Sequence, residues 1–553
     1  MPILRPVEQR AAALAALAGA PHDLLVIGGG ITGAAVARDA ALRGLRVALV
    51  EAEDFASGTS SRSSRLVHGG VRYLEHREFA LVFESSRERR ILLRIAPHLV
   101  RPLAFTWPVY ARARIRRWQL AAALTLYDAL ALFRNVQRHA RLGAAGVVAR
   151  EPRLRREGLR GGARYYDAAT DDARLTLATA CSARDAGAVL VTHARVTALT
   201  RADERIVGAT VRDCRTGHST LVHARCVVNA TGPWSDTVTR LAGATAAGHV
   251  RGSKGVHVTV PRERIGNVEA LTLLAPQDGR VMFVLPAGDF AIIGTTDSFE
   301  DVAPDAVRAN AADVAYLLAA ANHYFPDAAL RRDDVIAAWA GLRPLAAGLD
   351  DGDDPGAASR EHAIVEGPPG LVTVTGGKLT THRAMAAEVV DAVQRTLGTS
   401  PSPVRTALEP LPGGAGCDVA RELVAAQAAT GDLAVATRLV HAYGMAWRAV
   451  WALAEADRAL AGRIVSDRPY LLAELRHAVE REMAVTLADL LIRRLPLAFE
   501  TRDQGRSAAR RIASLVSPWA GWDAAEEAAA VADYDAAVAR MFTIDAGATA
   551  RRP

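Results

Sequence analysis

Over roughly its first four hundred residues the chain alternates short, continuous apolar runs with longer stretches of helical spacing; beyond that the short runs disappear. Asp23–Ile27 (DLLVI) is apolar and ends in β-branched residues, so it predicts a buried strand. Ile31–Arg43 carries apolar residues at a helical period, and Leu45–Val50 is a second buried strand. AFTWPVY predicts a strand entering another layer, and THARVTAL opens a meander that returns through HARCVVNATG. RVMFVLPAGDFAIIGTTD alternates on both sides of a Gly-Asp turn and predicts a hairpin. LVTVTGGKLTTHRAMAAEVV reads as strand, Gly-Gly turn and helix.

Helices are expected from Met1 to Ala20 (a short one leading into the first strand), over Glu84 to Leu99, around Trp118 to Phe133, after Asp171 and Asp172, and over Asp305 to Phe325. Asp171 and Asp172 suit capping and dipole pairing at a helix start. LEPLPGG marks a turn-rich boundary, and from Cys417 onward the pattern is almost wholly helical to about Met541. A chain of 553 residues needs more than one core. The expected layout is a discontinuous domain within 1–405 (about 20–100, 160–240 and 335–405), an interleaved cap (about 100–160 and 245–335), and a helical domain over 406–553.

Composition narrows this picture. Half of the residues are hydrophobic and 23% charged, which is globular, and no apolar run reaches the roughly 18 residues of a membrane span. The Ala-rich N-terminus has no convincing signal-peptide core. The four cysteines make no Cys-x-x-Cys pair, so reduced structural thiols in a cytoplasmic protein are expected, and no metal. A net charge of +7 suits phosphorylated metabolites or anionic lipid; no nucleic-acid module is visible, and no nucleic-acid partner is expected. Sixty-five basic residues are arginine and only two, Lys254 and Lys378, are lysine. Both lysines sit in glycine-containing segments, where a compact ammonium group has a specific use.

The strand–helix–strand at the start carries the first chemistry. Gly28, Gly30 and Gly33 form G-x-G-x-x-G between strand and helix, and Glu51 ends the second strand. Such glycines permit a tight turn, close approach of a pyrophosphate and close helix packing; the acid holds a ribose hydroxyl. The motif alone does not separate NAD from FAD. VVNATGPW, a later strand returning to the same sheet, makes the domain discontinuous and disfavours a simple NAD dehydrogenase. The hydroxyl-rich loop Ser57–Ser64 leads to His68, Gly69 and Gly70, a titratable ring beside backbone that can approach a flat ligand. Arg72 and Tyr73 follow at once.

TSSRSSRLVHGGVRYLEH, together with GGGITGAAVARDAALRG, resembles the signature of the FAD-dependent glycerol-3-phosphate dehydrogenases, and the likeness spans nearly the whole chain. Thr32 stands where that family usually has Asn, and Arg65 where Lys is common. The resemblance implies an α/β fold: an FAD-binding Rossmann-like domain of the glutathione-reductase and D-amino-acid-oxidase type, an inserted antiparallel substrate sheet, and a C-terminal all-α domain. It implies FAD held by Gly28, Gly30, Gly33, Glu51, Thr59, Ser60, Ser64, His68, Gly69, Gly70, Val196, Ala230, Thr231, Gly232, Gly377, Lys378, Leu379 and Thr380. Arg72, Arg343 and Arg360 would anchor a substrate phosphate with Tyr73 in support, Lys378 would face the flavin or the substrate, and His257 or His68 would be the base.

The implied reaction takes sn-glycerol 3-phosphate to dihydroxyacetone phosphate, with hydride passing from C2 to flavin N5 and electrons to a quinone. The enzyme would sit peripherally on the inner face of the cytoplasmic membrane, as a homodimer. An oxidase that reduces oxygen to peroxide and a non-catalytic flavin sensor are the alternatives. Three finer expectations belong here. The basic, apolar stretch before Phe133 reads as a core helix ahead of a membrane-surface helix. Asp297 reads as capping a turn more readily than facing the site. His477 and Glu480, three residues apart on one helix face, read as a solvated or capping pair, not metal ligands.

Overall fold

The structure is a computed structural model that describes residues 6–74, 77–243, 250–300, 302–346 and 361–546. Two sheets organise it. In the first, Leu371–Gly376, Ser219–Asn229, His22–Ile27, Val47–Val50 and Val189–Val191 lie side by side and parallel, with His362–Glu366 antiparallel at one edge. The central strands are apolar on both faces because both are covered. Leu24 and Val26 point to the helices Ile31–Leu42, Asp172–Asp185 and His382–Thr396. Leu25 and Ile27 point to an antiparallel meander of Ala194–Ala202, Arg205–Asp213 and Ser219–Asn229. His22–Ile27 pairs with the next strand in the chain on one side and with a much later strand on the other. That reversal of strand order opens a crevice at the carboxyl ends of the strands.

The second sheet is mixed and runs through Leu66–Val67, Leu159–Thr170, Val100–Tyr110, Ala270–Leu274, Val281–Ala287, Phe290–Gly294 and Val250–Pro261. Val281–Ala287 and Phe290–Gly294 form the expected hairpin over Gly288 and Asp289, with Gly288 at φ 63°. Ala337–Ala346 pairs with Val250–Pro261 from Val250 to Thr259, which sets Arg343 opposite Ser253 and Trp339 opposite His257. The helix Ala311–Tyr324 covers one face of this sheet, and the C-terminal helices pack on the other through Trp339, Phe499 and Leu475.

Several expected elements shift. The helix expected over Glu84–Leu99 is Phe79–Ile95 and stops before Pro97, since the residue ahead of a proline avoids helical angles. The helix expected from Asp305 begins at Ala311, where Asn310 and Asp313 cap each other's backbone N–H groups, and Asp305 lies in a separate single 3-10 turn, Pro304–Ala306. Asp171 caps its helix by accepting from Arg174 N–H at 3.0 Å. Asp172 instead turns to the hydroxyl-rich loop and accepts from Ser63 N and Oγ at 3.0 and 2.7 Å. Arg117–Leu130 packs as the expected core helix on one side and is open on the other. It buries Leu120, Leu124 and Tyr127, while Trp118 is 66% exposed, with Leu132 and Phe133 open just beyond its end. His477 is not solvated: it packs edge-on against Tyr443 with ring centroids 5.3 Å apart, and Glu480 pairs with Arg476 instead. No helix among the described residues is long and apolar enough to cross a membrane.

Candidate cofactor and substrate site

One continuous cavity runs from the carboxyl ends of the parallel strands to the underside of the mixed sheet. At its first end the walls are backbone. Gly28 has φ 109°, and a Cβ there would meet the Ala230 carbonyl oxygen at 2.7 Å; a Cβ at Gly33 would overlap the Gly28 oxygen. The first strand and its helix can therefore close on each other only without side chains. A Cβ at Gly30 would meet Ser60 Oγ at 3.2 Å. Glu51 bends back on the glycine turn, accepting from Gly29 N at 2.6 Å and Glu53 N at 2.9 Å. Val196, Ala230, Thr231 and Gly232 line the same end.

The hydroxyl-rich loop ties the two sheets together. Thr59 Oγ1 donates to the Leu342 carbonyl at 2.6 Å, and Ser60 Oγ accepts from Ile31 N at the helix start at 2.9 Å. Both residues border the cavity, and Ser60, whose oxygen accepts that bond, keeps its own O–H to donate. Ser64 Oγ lies 2.8 Å from His257 Nε2. Arg62, in the middle of the loop, drew no notice in the sequence. It is half-buried, its Nη2 donates to Ser57 O at 3.1 Å, and its shielded Nε meets no acceptor among the described residues. Burial pulls its pKa down to about 10, with Glu53 opposing the fall.

The HisGlyGly turn is held from both sides. His68 N donates to Thr380 Oγ1 at 3.1 Å, and Thr380 Oγ1 returns a bond to His68 O at 3.2 Å. Gly69 N donates to Asp167 Oδ1 at 3.0 Å, and Asp167 is in turn gripped by Arg89 and by Tyr127 OH at 2.6 Å. A Cβ on Gly69 would strike the Tyr127 hydroxyl, which is why glycine stands there. Asp167, Arg89 and Tyr127 escaped sequence reading because three distant segments bring them together. Tyr73 stacks toward His68 with ring centroids 6.4 Å apart, and its face carries Lys378 Nζ at 3.6 Å. Gly377, at φ 85°, turns the chain so that Lys378, Leu379 and Thr380 reach the cavity wall.

At the far end the walls are charged side chains. Arg343 Nη1 donates to Asp297 Oδ1 at 3.0 Å and Ser253 Oγ at 3.2 Å, and Nη2 to Thr295 Oγ1 at 3.1 Å. Asp297 is therefore an ion-pair partner of Arg343, not a turn cap. Gly255 leaves the space that the guanidinium occupies. His257 stacks on Trp339 at 5.5 Å, and burial, then Arg343 and Arg65, push its pKa down to about 3. Its ring is neutral across the physiological range. Of the remaining expected residues, Arg360 and the side chain of Arg72 lie outside the described residues.

A glycine cradle at the switch point of a parallel sheet, continuous with a pocket under a second, mixed sheet, defines a flavin-type oxidoreductase. The family described as FAD dependent oxidoreductase matches residues 23–392, and the C-terminal domain of alpha-glycerophosphate oxidase matches residues 404–527. Glycerol-3-phosphate dehydrogenase 2 of Mycobacterium tuberculosis (strain ATCC 25618 / H37Rv) is 41% identical over 534 residues, 96% of this chain and 90% of the relative. The Synechocystis glycerol-3-phosphate dehydrogenase is 37% identical over 91% of this chain and 93% of its own. The solved glycerol-3-phosphate dehydrogenase of Bacillus halodurans, complexed with FAD, superposes with a TM-score of 0.80 at 31% identity and covers 98% of this chain and all of its own. The chain belongs to the FAD-dependent glycerol-3-phosphate dehydrogenase family, and FAD is its cofactor. The residues fit that group: Gly28 and Gly30 present bare backbone to the cavity, where a pyrophosphate can approach closely, and the half-buried Arg62 on the same wall has an Nε with no acceptor among the described residues.

Proposed function

We propose that the protein oxidises sn-glycerol 3-phosphate to dihydroxyacetone phosphate and delivers the electrons to a membrane quinone. The observation that carries this reading is the convergence of Arg343, His257, Lys378 and Tyr73 on the cavity that begins at the glycine cradle. Bound FAD supplies the acceptor for the hydride that leaves C2 of the substrate. Arg343 takes the phosphate dianion, which shares a guanidinium already aimed by Asp297 and Thr295. Lys378 stands over Tyr73 and stabilises negative charge in the pocket. Neutral His257 accepts the hydroxyl proton at Nε2, the atom that Ser64 engages beforehand. A dianion against Arg343 relieves part of the repulsion that keeps the ring unprotonated, so substrate binding and proton acceptance support each other. His68, stacked toward Tyr73, positions the opposite wall.

Delivery to a quinone accords with the open apolar face of Arg117–Leu130. Trp118, Leu132 and Phe133 are exposed there beside exposed Arg112, Arg114, Arg116 and Arg117, a combination that suits the surface of an anionic membrane. One anaerobic experiment tests both parts. Added glycerol 3-phosphate should bleach the flavin band near about 450 nm promptly, and His257→Ala should slow bleaching by about 10²–10⁴. A flavin that stays yellow defeats the substrate reading. The reduced enzyme should then be reoxidised by quinone in anionic vesicles, more slowly after Arg116→Glu with Arg117→Glu; rapid peroxide formation in air makes it an oxidase instead.

A further inference from the structure

The helical domain after residue 404 has a part in the cofactor site that the reaction does not account for. Beside the buried Arg174–Glu482 pair, its contact with the parallel-sheet domain includes Asp54, three residues past Glu51. Asp54 is fully buried and receives two guanidinium groups from one turn of π-helix, Asp489–Arg494. Arg494 grips it with Nη1 at 2.5 Å and Nη2 at 3.0 Å, and Arg493 Nε adds a bond at 2.6 Å. Arg493 Nη2 is braced by Asp489 at 2.6 Å, and Asp489 also meets His193 at 3.0 Å. The backbone of His193 donates to Glu53 O at 2.6 Å, and Ala194 N to Glu51 O at 2.7 Å. The segment Glu51–Asp54, which carries the acid expected at the ribose, is thus fixed from below by the helical domain. A buried carboxylate with three charge-assisted bonds is a specific and rigid support.

The same domain also reaches the cavity itself. Arg540, near the end of the helix Ala524–Phe542, borders the cavity and pairs with Glu53 at 3.2 Å while about half exposed. Glu53 and Asp305, both on the wall at this end, would repel a pyrophosphate. Arg62 and Arg540 offset them, and Arg540 comes from the helical domain. We propose that the C-terminal helical domain is a retention clamp for FAD, with Arg493 and Arg494 positioning the Glu51–Asp54 segment and Arg540 closing the adenosine diphosphate end of the cavity. The inference concerns cofactor binding alone and stands whichever substrate or electron acceptor the enzyme uses.

The test follows release of FAD from the full-length holoenzyme by the rise in flavin fluorescence on dilution, with thermal midpoints of apo and holo protein measured alongside. Arg540→Ala should release FAD about three to ten times faster with the apo midpoint unchanged, and Arg540→Lys should recover part of the loss. Release from the unsubstituted enzyme should quicken with added KCl more steeply than release from Arg540→Ala, because the lost contribution is a screened charge. Asp54→Asn should release FAD faster still and lower the apo midpoint as well. An Arg540→Ala enzyme that holds FAD as long as the parent overturns the proposal. So does an Asp54→Asn enzyme whose midpoint falls while its release rate stays the same, since the contact would then be structural only.

Discussion

The two ends of the cavity are built on opposite principles. At the cradle, recognition comes from what is missing: Gly28, Gly30 and Gly33 leave backbone bare, and strand, helix and ligand close into the space. Under the mixed sheet, recognition comes from charge held ready: Arg343 is already bonded to Asp297, Ser253 and Thr295, and His257 is neutral between Ser64 and Trp339. The first end resists any added atom, and the second resists any removed charge. Substitutions should therefore fail differently at the two ends.

The largest effect is expected at the cradle. Gly33→Ala puts a Cβ into the Gly28 carbonyl, where only backbone could yield, so the variant should be recovered without FAD or not fold at all. Stoichiometric yellow protein of parental stability would break the contrast. Arg343→Ala should leave FAD bound but cut kcat/KM for glycerol 3-phosphate by about 10²–10³, with KM raised and kcat lowered, since it removes the phosphate anchor and the ion-pair partner of Asp297. Unchanged steady-state kinetics would take Arg343 out of the site.

The smallest effect sits between the two ends, at Asp172. Burial pushes its pKa up to about 6, against the pull of Arg65 and the bonds from Ser63. The folded protein therefore holds a proton that the unfolded chain has lost. The stability this contributes is present below about pH 4 and disappears as pH rises through about 6, an excursion of about 1–3 kcal/mol. Asp172→Asn has no such titration, so the parent's advantage over the variant in chemical denaturation should be greater at pH 4 than at pH 7. A difference that does not change with pH would place the proton elsewhere.

This contrast also explains what was legible in the sequence. The cradle lies within one run of thirty residues, and its physics is local: strand period, helix period, and glycines where φ or close approach demands them. The hairpin over Gly288 and Asp289 and the terminal helices were legible for the same reason. His257, Arg343 and Lys378 could be singled out through resemblance, yet nothing local revealed that Asp297 would neutralise Arg343, or that Trp339 would lie flat against His257. Those partners are set by the pairing of Ala337–Ala346 with Val250–Pro261, which joins Ser253 to Arg343 across 90 residues of chain. Asp167 beneath Gly69, Arg62 in the polar loop and Arg540 from the last helix were missed outright. In a chain with so many arginines, a single guanidinium gives no signal until the fold brings it to a ligand.

The scarcity of lysine has a practical meaning once both positions are seen. Lys254 is buried between Glu300 and Asp313, at 2.6 and 3.0 Å, and Lys378 stands in the cavity wall over Tyr73. No lysine decorates the outer surface, since the sequence contains no others. Reagents that acylate side-chain amines, which coat an ordinary protein at random, find little to attack on this one: Lys254 is held in its ion pairs, and the Lys378 ammonium is shielded from solvent against the Tyr73 ring.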